Sequence, residues 1–271
     1  MTSSVGRWAV RLLLCLTAIT SQILARAPPG RMSRRAPAST ELGEFLQLGE
    51  ATGPLKTTRQ SGSVMIECEF MGSPPPVVQW LRGKAVHAQD RPSDKLAELR
   101  SELSGMEPLP LDSATSIGTT RARLYLDCVS PADQGEYTCQ GRTPSEVTSS
   151  TTQLYVTEPL SEESILACEE AKGSPFQAVR VVQWRPKILA MMGTQARLVC
   201  ITSGFPAPSI SWTRNYQPLE TGSGRITVTP SGDLIIDDLQ WSDMGQYQCI
   251  ASNEISSDSV TTFLYPFKAG K

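Results

Sequence analysis

A single pattern of residues occurs twice in this chain of 271 residues. The first copy begins with Cys68, Gly72, Pro74, Pro76, Val78 and Trp80. At a constant offset of 132 positions, the second begins with Cys200, Gly204, Pro206, Pro208, Ile210 and Trp212. Further along, the first copy contains Leu124, Leu126, Asp133, Gly135, Tyr137 and Cys139. These recur 110 positions later as Leu234, Ile236, Asp243, Gly245, Tyr247 and Cys249. The repeat predicts two domains of one fold, with 22 extra residues in the first.

The residues around the first cysteine of each copy alternate between apolar and polar. The apolar set is Val64, Ile66, Cys68 and Phe70 in the first copy, and Ala196, Leu198 and Cys200 in the second. A period of two is typical of half-buried strands. Each tryptophan follows a Gly/Pro turn that reverses the chain, so it can lie in an opposite sheet. The pattern therefore predicts a two-layer β-sandwich in each copy.

These residues resemble the immunoglobulin fold, and residues 225–228, 232–236 and 243–251 resemble successive strands of its intermediate-set variety. The resemblance implies an all-β protein with two tandem immunoglobulin-like (intermediate-set type) β-sandwiches joined by a partly structured linker. It also implies the disulfides Cys68–Cys139 and Cys200–Cys249, each stabilising by about 4 kcal/mol in the chain-entropy model. A single large β-domain or an unrelated disulfide scaffold is the alternative.

Three of the seven cysteines remain outside these pairs: Cys15, in the apolar N-terminal run 12–19, and Cys128 and Cys168. In an immunoglobulin fold, Cys128 lies at the turn before the tyrosine corner, at the pole where the last strand leaves the domain. We expect a Cys128–Cys168 disulfide that attaches the start of the linker to the base of domain one. Two free thiols or an intermolecular bridge are the alternatives, although an exposed free thiol is a liability outside the cell.

The N-terminus has the layout of a secretory signal peptide. Arg7 and Arg11 precede the apolar run 12–19, and cleavage is expected near Ala25. The predicted organisation is a signal peptide (1–25), a flexible leader (26–54), domain one (55–157), a linker (158–185) and domain two (186–267). Within the leader, residues 31–35 read Arg-Met-Ser-Arg-Arg, which is either a solvated basic tail or a processing site. We expect a secreted, extracellular protein without stable membrane insertion.

The linker changes character along its length. Its first half is acidic, whereas residues 178–184 contain three valines and Trp184 and are typical of a strand. We expect this strand to pack on one domain or to pair with an exposed strand edge, which would hold the two domains in a fixed relation. Alternatively, it is the first strand of domain two.

The insertion in the first copy spans about residues 87–110. Leu96, Leu99 and Leu103 follow a helical spacing, and Ser93 is a suitable N-cap, so a short helix is one interpretation. A solvated excursion on the surface is the other.

The composition of the chain argues against catalysis, metal binding and nucleic-acid binding. The chain has a net charge of −2, a pI near 5.6 and a single histidine, His87, which excludes a basic nucleic-acid surface and His-rich metal sites. No residue set with the spacing of a nucleophilic triad or a phosphate-binding loop is present. We therefore predict a protein that is not an enzyme and has no catalytic residues, no metal, no cofactor and no nucleic-acid partner.

A closer resemblance is to the arthropod neural/ectodermal development factor family of secreted two-domain insulin-binding proteins. It rests on residues 67–74, 78–80, 136–143, 215, 232–236, 241–247 and 262–266. Its more specific parts are the motif Trp241-x-Asp243-Met244-Gly245 and the run Phe263-x-Tyr265-Pro266. The resemblance implies capture of insulin-like or insulin-like-growth-factor-like peptide hormones, and so antagonism of insulin receptor signalling and growth. An adhesion or axon-guidance ligand is the alternative, and self-association stays open.

A hormone binder needs apolar and aromatic anchors on its surface. The candidates are Phe176, Val179, Val181, Val182, Trp184, Phe263, Tyr265 and Phe267. Each is equally compatible with an ordinary core position. The feature that would separate hormone capture from adhesion is an apolar patch that spans both domains and the linker.

Overall fold

The structure, a computed structural model, describes residues 42–83, 85–86, 115–159, 161–221 and 224–268. The predicted signal peptide, residues 26–41 of the predicted leader and the 87–110 insertion with His87 lie outside the described residues. The same holds for the basic segment 31–35.

Domain one is a sandwich of two sheets. Its strands are β1 (Phe45–Ala51), β2 (Leu55–Arg59), β3 (Val64–Ser73), β4 (Val77–Arg82), β5 (Ala85–Val86), β6 (Ser116–Leu126), β7 (Gly135–Arg142) and β8 (Val147–Thr157). One layer has the order β1-β3-β6, and the other has the order β2-β8-β7-β4-β5. Between them lie Trp80 and the Cys68–Cys139 disulfide. The Tyr137 hydroxyl donates to the Asp133 carbonyl oxygen at 2.8 Å. A tyrosine that bonds back to the backbone just before the second cysteine is the tyrosine corner of immunoglobulin domains.

The structure differs from the predicted leader at strand β1. This strand pairs with β3 along the edge of the sheet, with Phe45 opposite Ser73, and Leu46 packs against the core of domain one. Residues 45–51 are therefore part of the first domain and not of a flexible leader. Backbone pairing with β3 and the contact of Leu46 with the core both stabilise this strand.

The linker contains a helix and a long strand. Helix α1 (Glu162–Gly173) begins after Ser161, whose side chain accepts a hydrogen bond from the Ser164 amide at 3.2 Å. Cys168 on this helix forms a disulfide with Cys128 near the end of β6. Strand β9 (Gln177–Met191) follows and leads directly into domain two. The disulfide therefore attaches the helical part of the linker to domain one.

Domain two repeats the sandwich. Its remaining strands are β10 (Ala196–Leu198), β11 (Cys200–Phe205), β12 (Ser209–Arg214), β13 (Gln217–Pro218), β14 (Ile226–Val228), β15 (Leu234–Ile236), β16 (Gly245–Ser252) and β17 (Ser257–Phe267). A layer β10-β15-β14 faces a layer β17-β16-β12-β13. The Cys200–Cys249 disulfide and Trp212 lie in the core between the layers. The Tyr247 hydroxyl donates to the Asp243 carbonyl oxygen at 2.8 Å, so both domains have a tyrosine corner.

Strand β9 joins the two domains into one sheet. It pairs antiparallel with β6 of domain one, parallel with β17 of domain two and antiparallel with β11. Within the described ranges, the resulting sheet has nine strands in the order β1-β3-β6-β9-β17-β16-β12-β13, with β11 attached to β9. Both interpretations of the linker strand therefore hold, because β9 is the first strand of domain two and also covers the edge of domain one.

Side chains reinforce this junction. The guanidinium of Arg123 lies 4.4 Å from the centre of the Trp184 ring, and Arg123 also donates to Glu67 at 2.6 Å. Nearby, Arg180 of β9 forms a two-pronged ion pair with Asp127 at 2.6 and 3.0 Å. Arginine stacking and bidentate carboxylate pairs restrict orientation as well as distance. The described residues of both domains accordingly belong to one compact unit.

Candidate binding surface

One row of side chains crosses the shared sheet from domain one to domain two. Met71 of β3 lies opposite Thr119 of β6, and Thr119 lies opposite Lys187 of β9. Lys187 in turn lies opposite Phe263 of β17. Directly paired residues project from the same face of a sheet. The four side chains therefore share one face across four neighbouring strands.

A second row runs beside the first. Ile117 of β6 lies opposite Leu189 of β9, and Leu189 lies opposite Tyr265 of β17. Each of these residues is two positions from a member of the first row, so a period of two places both rows on one face. The apolar members of the two rows are called the central patch: Met71, Ile117, Leu189, Phe263 and Tyr265.

The central patch is accessible to solvent. Met71, Leu189, Phe263 and Tyr265 are 38–46% exposed, and Ile117 is half-buried. The residues between them, such as Ile188 and Leu264, point the other way and are buried in domain two. Since neighbouring strands are about 4.8 Å apart, the patch spans about 14 Å from β3 to β17. Exposed apolar side chains grouped on several neighbouring strands are typical of interaction sites.

A shallow cavity of about 580 Å³ adjoins the patch at Tyr265. It is lined by Met192, Trp241, Tyr265, Phe267 and Lys268. Trp241 and Tyr265 meet edge to face with their ring centres 5.8 Å apart, an arrangement that aromatic pairs favour. Trp241 begins the short 3-10 helix Trp241–Asp243 that precedes β16. The cavity extends the patch with aromatic walls and a lysine.

Four of the eight candidate anchors are buried. They are Val179, Val181, Val182 and Trp184. The first, second and fourth of these belong to the core cluster of domain two. A ligand on the surface does not reach these side chains, so they are removed from the candidate site. The strand that they form still carries Lys187 and Leu189 to the exposed face.

Phe176 is exposed but lies elsewhere. It precedes β9, at the end of the strand opposite to Leu189, about 40 Å away along an extended chain. Gln177 pairs with Phe205, and the Asn253 side chain donates to the carbonyl oxygens of Gln177 and Pro206 at 3.2 and 3.0 Å. Phe176 therefore belongs to a separate surface, the loop-end cluster, with Phe205 and Ile255.

Phe263, Tyr265 and Phe267 are the candidates that the structure places at the patch and its cavity. Met71, Ile117 and Leu189 were missed by the sequence reasoning. Leu189 lies in the run Lys187-Ile188-Leu189-Ala190-Met191, whose apolar residues do not alternate with polar ones. The sequence alone does not tell which of these residues face solvent. The register between β6 and β9 in the structure does, because it places Leu189 opposite Ile117.

The described residues show neither a metal site nor a membrane-spanning helix. No three His, Cys, Asp or Glu side chains among them lie close enough together to hold a metal ion. No helix in this part of the chain has both the length and the apolar character needed to cross a bilayer.

Comparison with known families assigns both domains to immunoglobulin-domain families. Residues 179–265 match the immunoglobulin I-set domain family, and residues 51–142 match the family described as immunoglobulin domain. The chain is a tandem immunoglobulin-domain protein. The predicted fold class is thereby confirmed.

Relatives of this immunoglobulin protein support the predicted resemblance. Neural/ectodermal development factor IMP-L2 of Drosophila melanogaster is 29% identical over 218 residues, which cover 79% of this chain and 74% of that protein. A crystal structure of IMP-L2 superposes with a TM-score of 0.60 at 24% identity, over 83% of this chain and 96% of the other. The netrin receptor DCC of Mus musculus is 26% identical over 79% of this chain, which spans only 13% of the receptor.

The similarity to immunoglobulin proteins also decides the broad class of activity. Proteins of this kind are binding proteins, and this chain is one of them and not an enzyme. The immunoglobulin fold alone does not name a ligand. The ligand must therefore be argued from the exposed surfaces.

Proposed function

We propose that this protein is secreted and binds an insulin-like or insulin-like-growth-factor-like peptide on the central patch. Binding there would sequester the hormone and so antagonise insulin receptor signalling and growth. The proposal combines the similarity to IMP-L2 with the surface chemistry of the shared sheet. Three disulfides are compatible with the oxidising conditions outside the cell.

The observation that carries the proposal is the composition of the patch. Domain one contributes Met71 and Ile117, and domain two contributes Phe263 and Tyr265. Between them, Leu189 belongs to β9, the strand that runs from the predicted linker into domain two. An apolar patch that spans both domains and the linker is the feature expected for hormone capture and not required for adhesion.

The chemistry of the hormones matches such a surface. Insulin-like peptides are small, disulfide-bonded helical proteins with an apolar patch that faces the receptor. A stable complex buries about 800 Å² on each partner and depends on a few aromatic anchors near its centre. Phe263 and Tyr265 supply the anchors, and the cavity beside Tyr265 can take an additional side chain. Once the apolar patch of the hormone is covered, it is no longer available to a receptor.

The test is the affinity of the purified protein for insulin, measured by isothermal titration calorimetry and size-exclusion chromatography. We expect a co-eluting complex, and we expect Phe263→Ala to weaken binding at least tenfold, as is usual for a central aromatic anchor. Phe205→Ala is the matched control, because Phe205 is similarly exposed, at 53% against 46%, but lies in the loop-end cluster. No complex at micromolar concentrations, or equal losses in the two variants, would contradict the proposal.

The loop-end cluster favours a second candidate function, adhesion or guidance. Phe176, Phe205 and Ile255 are all exposed at one end of domain two, and the chain is similar to a protein named netrin receptor. In a cell-binding assay, this function predicts that Phe205→Ala reduces attachment while Phe263→Ala does not. Hormone capture predicts instead that Phe263→Ala weakens insulin binding and that neither variant changes attachment.

A further inference from the structure

Lys187 occupies the middle of the central patch. It is exposed, and its direct neighbours across the sheet are Thr119 on one side and Phe263 on the other. Leu189 lies two residues further along the same face of β9. Among the described residues, no carboxylate lies within ion-pair distance of the Lys187 ammonium group.

The arginines near this junction, unlike Lys187, have acidic partners. Arg121 pairs with Glu69 at 2.5 Å, and Arg123 pairs with Glu67 at 2.6 Å. Arg180 on the same strand as Lys187 pairs with Asp127. Among the residues that the structure describes, each of these arginines thus has an acidic partner, and the ammonium at the centre of the apolar surface has none.

Covering the patch changes the surroundings of this ammonium group. A ligand that contacts Leu189 and Phe263 removes water from the space between them, because directly paired side chains are only about 5 Å apart. A desolvated ammonium without a counter-charge strongly opposes binding. The methylene stem of a lysine, in contrast, can lie along apolar surface while its charged end meets an acceptor. The bound partner therefore has to supply the acceptor.

We infer that Lys187 determines specificity by pairing with a carboxylate of the bound peptide. The inference rests on the proposed function and narrows it: the ligand is a peptide hormone whose apolar face surrounds one Asp or Glu side chain or a C-terminal carboxylate. One ammonium balances one carboxylate, whereas a phosphate would bring up to two negative charges to a single lysine. The expected ligand is thus a peptide with a single carboxylate inside an otherwise apolar binding face.

The first experiment compares three substitutions at this position, with insulin as the probe in calorimetry. Lys187→Met keeps the apolar stem and removes the charge, and it should weaken binding tenfold or more. Lys187→Glu should weaken it further, and Lys187→Arg should retain affinity within about threefold, since the charge is kept. Lys172→Met is the control, because Lys172 is an exposed lysine on helix α1, away from the patch.

A second experiment identifies the carboxylate. Each Asp and Glu of insulin is replaced singly by its amide, the C-terminal carboxylates are amidated, and each form is titrated against the wild type and Lys187→Met. One replacement should weaken binding to the wild type but leave binding to Lys187→Met unchanged, because the partner charge is already missing. If every replacement affects both proteins equally, no carboxylate pairs with Lys187 and the inference is overturned.

The outcomes separate this inference from the proposed function. If the wild type does not bind insulin, both are overturned. If the wild type binds, Phe263→Ala weakens the complex and Lys187→Met binds as tightly as the wild type, then hormone capture stands and the role of Lys187 is overturned alone. Circular dichroism of each variant checks that the fold is retained.

Discussion

At the scale of single residues, each tyrosine corner contains an aspartate at the equivalent position, and the two aspartates have different hydrogen-bond partners. Asp133 of domain one accepts hydrogen bonds from the amide and the hydroxyl of Ser130, both at 2.8 Å. Asp243 of domain two accepts from the guanidinium of Arg225 at 3.0 and 3.2 Å and from the backbone N–H of Gln240 at 2.8 Å. The second carboxylate is buried, so its ionised form depends on these donors.

The partners of Asp243 make domain two sensitive to acid. Burial raises the pKa of Asp243, but the hydrogen bonds from Arg225 and the backbone N–H of Gln240 outweigh it, and the pKa lies below the ordinary value. A depressed carboxylate pKa stabilises the fold above the unfolded pKa, near 3.9, and this stabilisation is lost as the pH falls through the folded pKa. We expect Asp243→Asn to lower the free energy of unfolding at pH 7 by about 1.5–3 kcal/mol. The difference should shrink below about pH 4.

Urea denaturation of the full chain at pH 7 and pH 3 measures this effect. Asp237→Asn is the control, because Asp237 is an exposed carboxylate nearby that accepts a hydrogen bond from Gln195. Its substitution should change the free energy of unfolding by no more than about 0.5 kcal/mol. A loss in Asp243→Asn that is equally large at both pH values would show that the ionised carboxylate is not the cause.

At the scale of secondary-structure elements, helix α1 depends on its disulfide. It has 12 residues, none of them buried, and isolated helices of this length are marginal in water. The Cys128–Cys168 bond attaches it to domain one. In the double variant Cys128→Ser/Cys168→Ser, we expect the amides of 162–173 to lose their protection from hydrogen exchange. Mass spectrometry of the exchanging protein measures this loss.

Strand β9 provides the internal control for that experiment. Its residues 183–190 pair with β6 on one side, and their protection should be unchanged in the double variant, because it rests on backbone bonds and not on the disulfide. Loss of protection in both elements would mean that the disulfide, rather than the shared sheet, holds the domains together. Unchanged protection in α1 would mean that the helix is stable without it.

The comparison of β9 and β1 shows how far sequence reasoning reaches. The spacing of cysteine and tryptophan predicts both sandwiches, because the core of each sandwich requires these residues at set positions. The valines of residues 178–184 predict the strand β9. The pairing of β9 with β6 could not be predicted, since strands so far apart in the chain are brought together only by the fold. The strand β1 was missed because it follows a polar segment and its pairing partner was not evident from pattern alone.

The central patch shows the same limit for the site. Phe263 and Tyr265 were predicted from a family resemblance, and Trp184 was predicted equally and is buried. An apolar residue in a strand has the same appearance in a sequence whether it faces the core or solvent. The bulged register between β6 and β9 near Arg121 decides the face, and a shift of one residue would reverse it.

At the scale of the whole molecule, the shared sheet makes the two domains one structural unit. Unfolding either domain would break the pairing of β6 with β9 and leave the remaining strand with an unpaired edge. It would also break the contact between Trp184 and Arg123 of domain one. We expect peptides from β7 and β16 to lose protection from hydrogen exchange at the same urea concentration. Midpoints more than about 1 M apart would indicate two independent domains.

Ligand binding extends this prediction, because the central patch contains residues of both domains. A ligand that binds only the folded state stabilises it by about 2.7 kcal/mol at a hundredfold excess over Kd. If insulin contacts both Met71 and Phe263, the urea midpoints of β7 and β16 should rise together by an equal amount. In Phe263→Ala, both midpoints should rise less at the same insulin concentration. Because a cooperative unit passes the stabilisation on to both domains wherever the ligand binds, Met71→Ala tests the contribution of domain one: both midpoints should also rise less in this variant. A full rise in Met71→Ala would contradict a site built across the shared sheet.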